Sequence, residues 1–594
     1  MIAKSLSIHE LLSGSKNFRI PIFQRHYEWL SLEVDAGGQV EDLWSDIETI
    51  CLRGKKHFIG PFVTKRATRY ARIHAASQNG HDQATPVYLV IDGQQRLTTL
   101  LILLCVIRDF AQQLEHKALA NTICETYLVN STERGDKKLR LVSSETNKDN
   151  QILTDLLLNK ESAVQVESHP IHHTRTSFQA HVQRYLYSTQ PEHQAKTLQI
   201  LLQQIVTNLS AVEIQLERED NPTLIFQSLN SKGRDLTSSD LSSSYIFMKL
   251  SSEAAQKRMH QSYWRPMELR LLAHSSESPE EVMDQFLRTY LCAEHPDLRE
   301  RDVYNALEAK VGQTDFEIET LLIRMSDFAE YYALLFNPEL EKNPTVRLQL
   351  TFLQNLGYAS LHPFLLNLFH HARGRTLKGS HHTLSEKEFI LLLRLMESLI
   401  IRRFVCGENL QKLHLQMNRI YHSSLSGTDH SSMFDHLLVN MIEIFPQDEA
   451  FEEALLSAQF QTSGLLSRRV RYMLRRIEFK INPYSDVLMN SHSIEHIMPH
   501  NLTNWWRKEL GDGFSKVHVQ FLDNLGNLTL VPLRGTLSNR RFPEKKVLLK
   551  ETTLKINEHF QNIKKWKKGN MQKRAQELAE HALELWQHPS TVNI

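Results

Sequence analysis

The stretch PVYLVIDGQQRLTTLLILLCVIRDF, residues 86–110, decides how the N-terminal half of the chain is read. Pro86–Ile91 is a continuous apolar run, the pattern of a buried strand. Asp92-Gly93 supplies a tight turn, and the residues from Leu97 onward have the length and composition of a helix. Strand, glycine turn and helix in that order predict an α/β layer. Leu97–Ile107 is the most apolar run of the chain but too short to cross a bilayer, so a buried helix and no membrane partner are expected.

Working outward, FRIPIFQR (18–25) and AVEIQLE (211–217) are further strand candidates, and residues 66–85, with Asn79-Gly80, read as an exposed loop. TLIFQSLNSKGRDLTSSDLSSSYIFMKL (223–250) reads as a helix, a turn at Lys232-Gly233, and a second helix opened by a capping box of Thr237 and Asp240. From about 251 to 440, Leu, Met and Phe recur at the helical period. FILLLRLMESLIIRRF (389–404) is the clearest case, a core helix because Arg394 and Glu397 lie within it. The expected fold class is α+β and multidomain: an α/β domain over 1–250, a helical middle over 251–440, and a third domain over 441–594.

Composition sets the outer limits. A chain of 594 residues is too long for a single core. A hydrophobic share of 41% and a charged share of 23% exclude a disordered or fibrous protein. With 69 Lys and Arg against 68 Asp and Glu, the net charge of +1 argues against coating nucleic acid by bulk charge. The total hides an asymmetry. Residues 461–594 carry 22 Lys/Arg and 12 Asp/Glu, a balance of +10 that leaves −9 for the rest. SRRVRYMLRR (467–476) and KKWKKGNMQKR (564–574) dominate that block and point to a phosphate-backbone footprint. The five cysteines form no CxxC pair, so they are expected to be buried thiols in a reducing cytoplasm. The N-terminus has no apolar signal segment, and a cytoplasmic location is expected.

The chemistry of the C-terminal block lies in SIEHIMPHN (493–501), LDNLGNLTLVP (522–532) and LSNRRFPEKK (537–546). A His near neutral pKa can take a proton from water. A carboxylate beside it and a carboxamide on a following helix can hold a hard divalent ion against a phosphate. A second carboxamide can orient the imidazole through its other nitrogen. Asn527 precedes the apolar LTLVP strand and Ser538-Asn539 stands where a helix would start, which predicts two strands and a helix. Two other readings stand beside this one. His492, His496 and His500 would form a metal face on a helix, which Pro499 opposes. A solitary surface His is the other, and it leaves both Asn segments unexplained.

These segments resemble the HNH, or His-Me finger, nucleases in the variant with E-H-I-x-P, L-G-N-L and N-x-x-F-x-x-K segments. The resemblance implies a ββα-metal domain embedded in helices. It makes His496 the general base, Glu495 and Asn539 ligands of Mg²⁺ or Mn²⁺, and Asn527 the residue that positions His496. Lys545 or Lys546 would contact phosphate. The sequence departs from the family at position 495, where Asp is more usual.

At the other end, IPIFQRHYEW (20–29), HFIGPF (57–62) and VIDGQQRLTTL (90–100) surround the glycine turn. Asp92, Gly93, Gln94, Gln95 and Arg96 at a strand-to-helix junction offer backbone N–H groups, two amides and a guanidinium to a phosphate-bearing ligand. No Walker phosphate loop occurs in the chain. DGQQR-L-T, the Q-R-x-Y-x-W segment and F-x-x-L-N-S-x-G-x-x-L (226–236) resemble the ParB/sulfiredoxin-like domain of GmrSD-type (type IV) restriction endonucleases, in which it is fused to the E-H-I-x-P nuclease. The resemblance implies that Gln24, Arg25, Asp92, Gly93, Gln94, Gln95 and Arg96 line a nucleotide-binding or DNA-sensing pocket, with His57 and Asn230 beside them. DLSSSYIF departs from relatives that carry a Lys after Asp-Leu.

The expected function is an NTP-regulated, metal-dependent endonuclease that cleaves modified double-stranded DNA of phage in bacterial defence, with NTPase activity in the N-terminal domain and a homodimer left open. The rival reading is a non-cutting, nucleotide-dependent DNA-binding regulator.

Overall fold

The computed structural model describes residues 1–591 apart from 25–26, 30–37, 68–85, 131–137, 144–147, 161–168, 218–219, 221–224, 226–236, 274–278, 374–382, 426–431, 465, 486, 488–491 and 533–536. The chain divides into two compact units, Met1–Ser262 with Leu307–Glu319, and Tyr263–Ala306 with Thr320–Ile594. Both α-helix and β-sheet are present, and the sheets are small beside the helices.

The first unit is organised by a six-stranded mixed sheet: β1 (Ile2–Ser7), β2 (Asn17–Arg19), β3 (His57–Arg66), β4 (Val87–Asp92), β5 (Leu141–Val142) and β6 (Leu209–Leu216). Their order in space is β1-β6-β3-β4-β2-β5. The expected strands at 86–91 and 211–217 are there. The one expected at 18–25 is shorter, because Pro21 has no N–H and ends the ladder one residue after Ile20 donates to Val142.

Strand β4 runs through Gly93, whose φ of 90° lies in the left-handed region, into helix α1 (Gln94–Gln113). The helix is buried nearly all round, with Leu97 to Ile107 in the main core of the unit. Its one deep cation is satisfied locally: Arg108 pairs with Asp109 and donates to the carbonyls of Leu156 and Leu157. That is how an apolar helix tolerates a buried guanidinium. The capping box at Thr237 and Asp240 opens helix α2 (Ser238–Lys249).

From 253 to 442 the described residues form helices and contribute no strand. Among the described residues no helix is long and apolar enough to cross a membrane. Helix α3 (Glu386–Val405) is the expected core helix, and it holds the main buried ion pair of the second unit. Glu397, 3% exposed, accepts from Arg476, from the Tyr472 hydroxyl and from the Trp586 indole. Of the five free cysteines only Cys105 is fully buried; Cys51, Cys124, Cys292 and Cys406 are half-exposed, a correction to the expectation of buried thiols.

Candidate active site

The C-terminal site stands on an antiparallel pair, β7 (His492–His496) and β8 (Leu528–Pro532), with His496 opposite Leu528. The His492–His500 segment is therefore a strand and a turn, and the helical metal face does not form. The helix that follows β8, α6 after α4 (Asp448–Ser457) and α5 (Ser467–Ile481), spans Phe542–Lys550. It starts three residues later than Asn539, because Pro543 is suited to the first helical turn. Ser538 has a positive φ of 44°, and Asn539 is an exposed residue in the turn ahead of the helix.

His496 ends β7 and is 9% exposed. Its Nε2 lies 2.8 Å from Asp523 Oδ1. A carboxylate can only accept, so the ring proton sits on Nε2 and Nδ1 is the nitrogen that keeps a lone pair able to take a proton. Burial lowers the imidazole below its ordinary pKa, while Asp523 raises it in part. Asp523 is held on both sides: its N–H donates to Gln459 and its carbonyl accepts from the Phe460 N–H. Sequence reasoning missed Asp523, although it is the sole carboxylate between 513 and 543.

Asn527 does not touch the imidazole. Its carboxamide accepts from the Met498 N–H and donates to the carbonyls of Met498 and Leu522. It has no exposed surface, and it fixes the main chain that leaves His496. The two lysines expected on phosphate are spent on main-chain carbonyls. Lys545 is fully buried and donates to the His496 carbonyl, and Lys546 donates to Gln561 and Ile563. Burial pushes Lys545 down to about 7. The Glu495 carboxyl is raised by burial and opposed by Lys545. Neighbouring strand residues point to opposite faces, so Glu495 looks toward Lys545 while His496 looks toward Asp523.

His500 completes a group that the sequence did not single out as a site. Its ring centroid lies 4.3 Å from that of His496, and donor atoms of His496, His500 and Asp523 all fall within 4.8 Å of one another.

The basic segments have two fates. In KKWKKGNMQKR, Lys564, Lys565, Lys567, Lys568 and Lys573 face solvent. Trp566 is instead a core residue, stacked on Phe542 at 5.4 Å, with its indole N–H on Asn527. Arg574, in helix α7 (Lys568–Leu585), is buried and donates to the Gly526 carbonyl at 3.0 Å. In SRRVRYMLRR, Arg476 is consumed by Glu397. Gly526 lets α7 close on the loop before β8, since a Cβ there would lie 2.0 Å from the Met571 carbonyl oxygen. Gly526→Ala is expected to cost the second unit roughly 1–3 kcal/mol through overpacking against backbone. Urea unfolding of wild type and variant checks this.

In the first unit, the segments of the glycine turn do come together. Gln24 donates to the Ile91 carbonyl, the Gln95 carboxamide accepts from the Glu28 N–H, and Tyr27 meets Thr99 at 2.6 Å. These bonds tie Gln24 to β4, and Tyr27 and Glu28 to α1. Asp92 accepts from the Gly93 N–H and lies 3.4 Å from the Arg96 guanidinium. Gly60 has φ 110°, and a Cβ there would sit 2.1 Å from Arg96 Nη1, so the guanidinium lies directly on bare backbone. Gln94 is buried, and the N-cap residue of α1 is Gly93, which has no side chain to cap with. His57 instead pairs with Asp46 at 3.1 Å. Arg25, Asn230 and the 226–236 segment lie outside the described residues.

Residues 8–247 match the family described as the GmrSD restriction endonuclease, N-terminal domain. Residues 445–581 match the GmrSD restriction endonucleases, C-terminal domain. The chain belongs to the GmrSD restriction endonucleases. As a member it is a DNA endonuclease of the restriction type, and its candidate site falls inside the second match. No curated protein matches the chain significantly.

Proposed function

We propose that this GmrSD protein is an NTP-regulated, metal-dependent endonuclease that cuts modified foreign DNA in bacterial defence. Nucleotide binding and sensing are assigned to 1–250, cutting to 441–594, and the helical 251–440 joins them. The observation that carries the reading is the bond between His496 and Asp523. Asp523 holds the Nε2–H, so Nδ1 of His496 takes the proton from the attacking water. The lone pair stays available because burial keeps the ring neutral below its ordinary pKa.

Glu495 and Asn539 offer oxygen donors, which suit a hard cation such as Mg²⁺ or Mn²⁺. When bound there, the ion would stabilise charge building on the phosphate. Lys545 and Asn527 fix the main chain at the base's own carbonyl and two residues after it rather than touching substrate. The exposed lysines from Lys564 to Lys573 supply a footprint for the DNA backbone. In the first unit, Arg96 beside Asp92, at the start of a helix whose N-cap is Gly93, suits a triphosphate.

Asp523→Asn tests the carrying observation. The rate of DNA cleavage is expected to fall roughly 10–100-fold, the usual cost of losing a partner that orients a functional His. The acid limb of the pH–rate profile should also move to lower pH, because Asp523 raises the His496 pKa. A variant with an unchanged profile contradicts the assignment.

A further inference from the structure

We propose that His496, His500 and Asp523 form a clamp for a borderline transition cation of the Zn²⁺ class, and that its capture switches off the base. The inference rests on the reading of His496 as base and adds a regulation of that site. Two imidazoles and one carboxylate are a donor set for zinc-like ions, whereas Mg²⁺ prefers oxygen alone. The donors lie within 4.8 Å of one another, so small side-chain movements bring them to one ion. Among the described residues no other group of three His, Cys, Asp or Glu meets this spacing. His500 is exposed and Asp523 half-exposed, which leaves an entry path to the buried His496.

The consequence follows from imidazole itself. A neutral ring has one lone-pair nitrogen and one N–H. Coordination through either nitrogen uses the lone pair and leaves the proton on the other, so no base remains for water. Binding at Nε2 also displaces the Asp523 bond that orients the ring. The hard ion assigned to Glu495 and Asn539 and the zinc-like ion are thus opposed: one supports cutting and the other disables its base.

The test is calorimetric titration of the full chain with Zn²⁺ in excess Mg²⁺, for wild type, His496→Gln, His500→Gln and Asp523→Asn. Melting temperatures are recorded for each protein. Wild type should take up one tight ion, and each folded variant should bind at least tenfold more weakly. In cleavage assays, Zn²⁺ should inhibit wild type and a chelator should restore it. His500→Gln, read as its own ratio with and without Zn²⁺, should need at least tenfold more Zn²⁺ for the same inhibition. Equal Zn²⁺ affinity in wild type and His500→Gln overturns the clamp. Zn²⁺ that supports cleavage overturns its inhibitory sense. Binding that tracks His500 in a protein that never cuts DNA upholds the clamp and removes the nuclease reading instead.

Discussion

His496→Ala is expected to lower DNA cleavage about 10²- to 10⁴-fold, the range that general acid–base catalysis contributes. The fold should survive, because the side chain sits at the end of β7 and its one carboxylate partner, Asp523, remains half-exposed to water. Nucleotide hydrolysis, assigned to the first unit, should persist. The measurement is single-turnover cleavage of labelled DNA in Mg²⁺, with melting temperature and NTP hydrolysis recorded on the same preparations. Full cleavage by the variant removes His496 from the mechanism.

The largest stability effect is expected at Glu397, remote from the chemistry. Glu397 and Arg476 are 3% and 7% exposed at the side chain, and their bond is 2.8 Å. Removing one partner of such a pair leaves an uncompensated buried charge, a loss of roughly 3–5 kcal/mol. Tyr472 and Trp586 would lose their acceptor at the same time. Glu397→Ala should therefore unfold at distinctly lower urea, and the second unit should lose its transition before the first. A change within error in urea midpoint would show that water or rearrangement replaces the carboxylate.

Much of this architecture is legible in the chain, and the gaps have physical causes. The strand, Gly93 turn and helix at 86–110 can be read because an apolar run, a positive-φ glycine and helical length agree locally. The capping box at Thr237 and Asp240 and the core helix holding Glu397 are local signals of the same kind. The strand expected over 18–25 ends early because of the missing donor at Pro21, which alternation alone does not register. At the site, His496 and the Asn segments stand out by type and order. Which residue orients the imidazole does not, since Asp523 and Asn527 are both near β8 and only the loop path aims one at the ring. Lys545 reads as a surface cation, yet its ammonium is buried against the His496 carbonyl. Trp566 sits among lysines and still turns inward to Phe542 and Asn527. Such outcomes depend on tertiary packing, which no window of sequence contains.

Control of cutting at His496 by nucleotide and modified DNA can be read from one cleavage experiment. The purified 594-residue chain is incubated in Mg²⁺ or Mn²⁺, with and without NTP, on plain, glucosyl-hydroxymethylated and phosphorothioated DNA. The expected result is cleavage of one modified substrate that depends on both NTP and divalent ion and is lost in His496→Ala. Cleavage of plain DNA at the same rate without NTP, or salt-sensitive binding with no nicking in any condition, would contradict it.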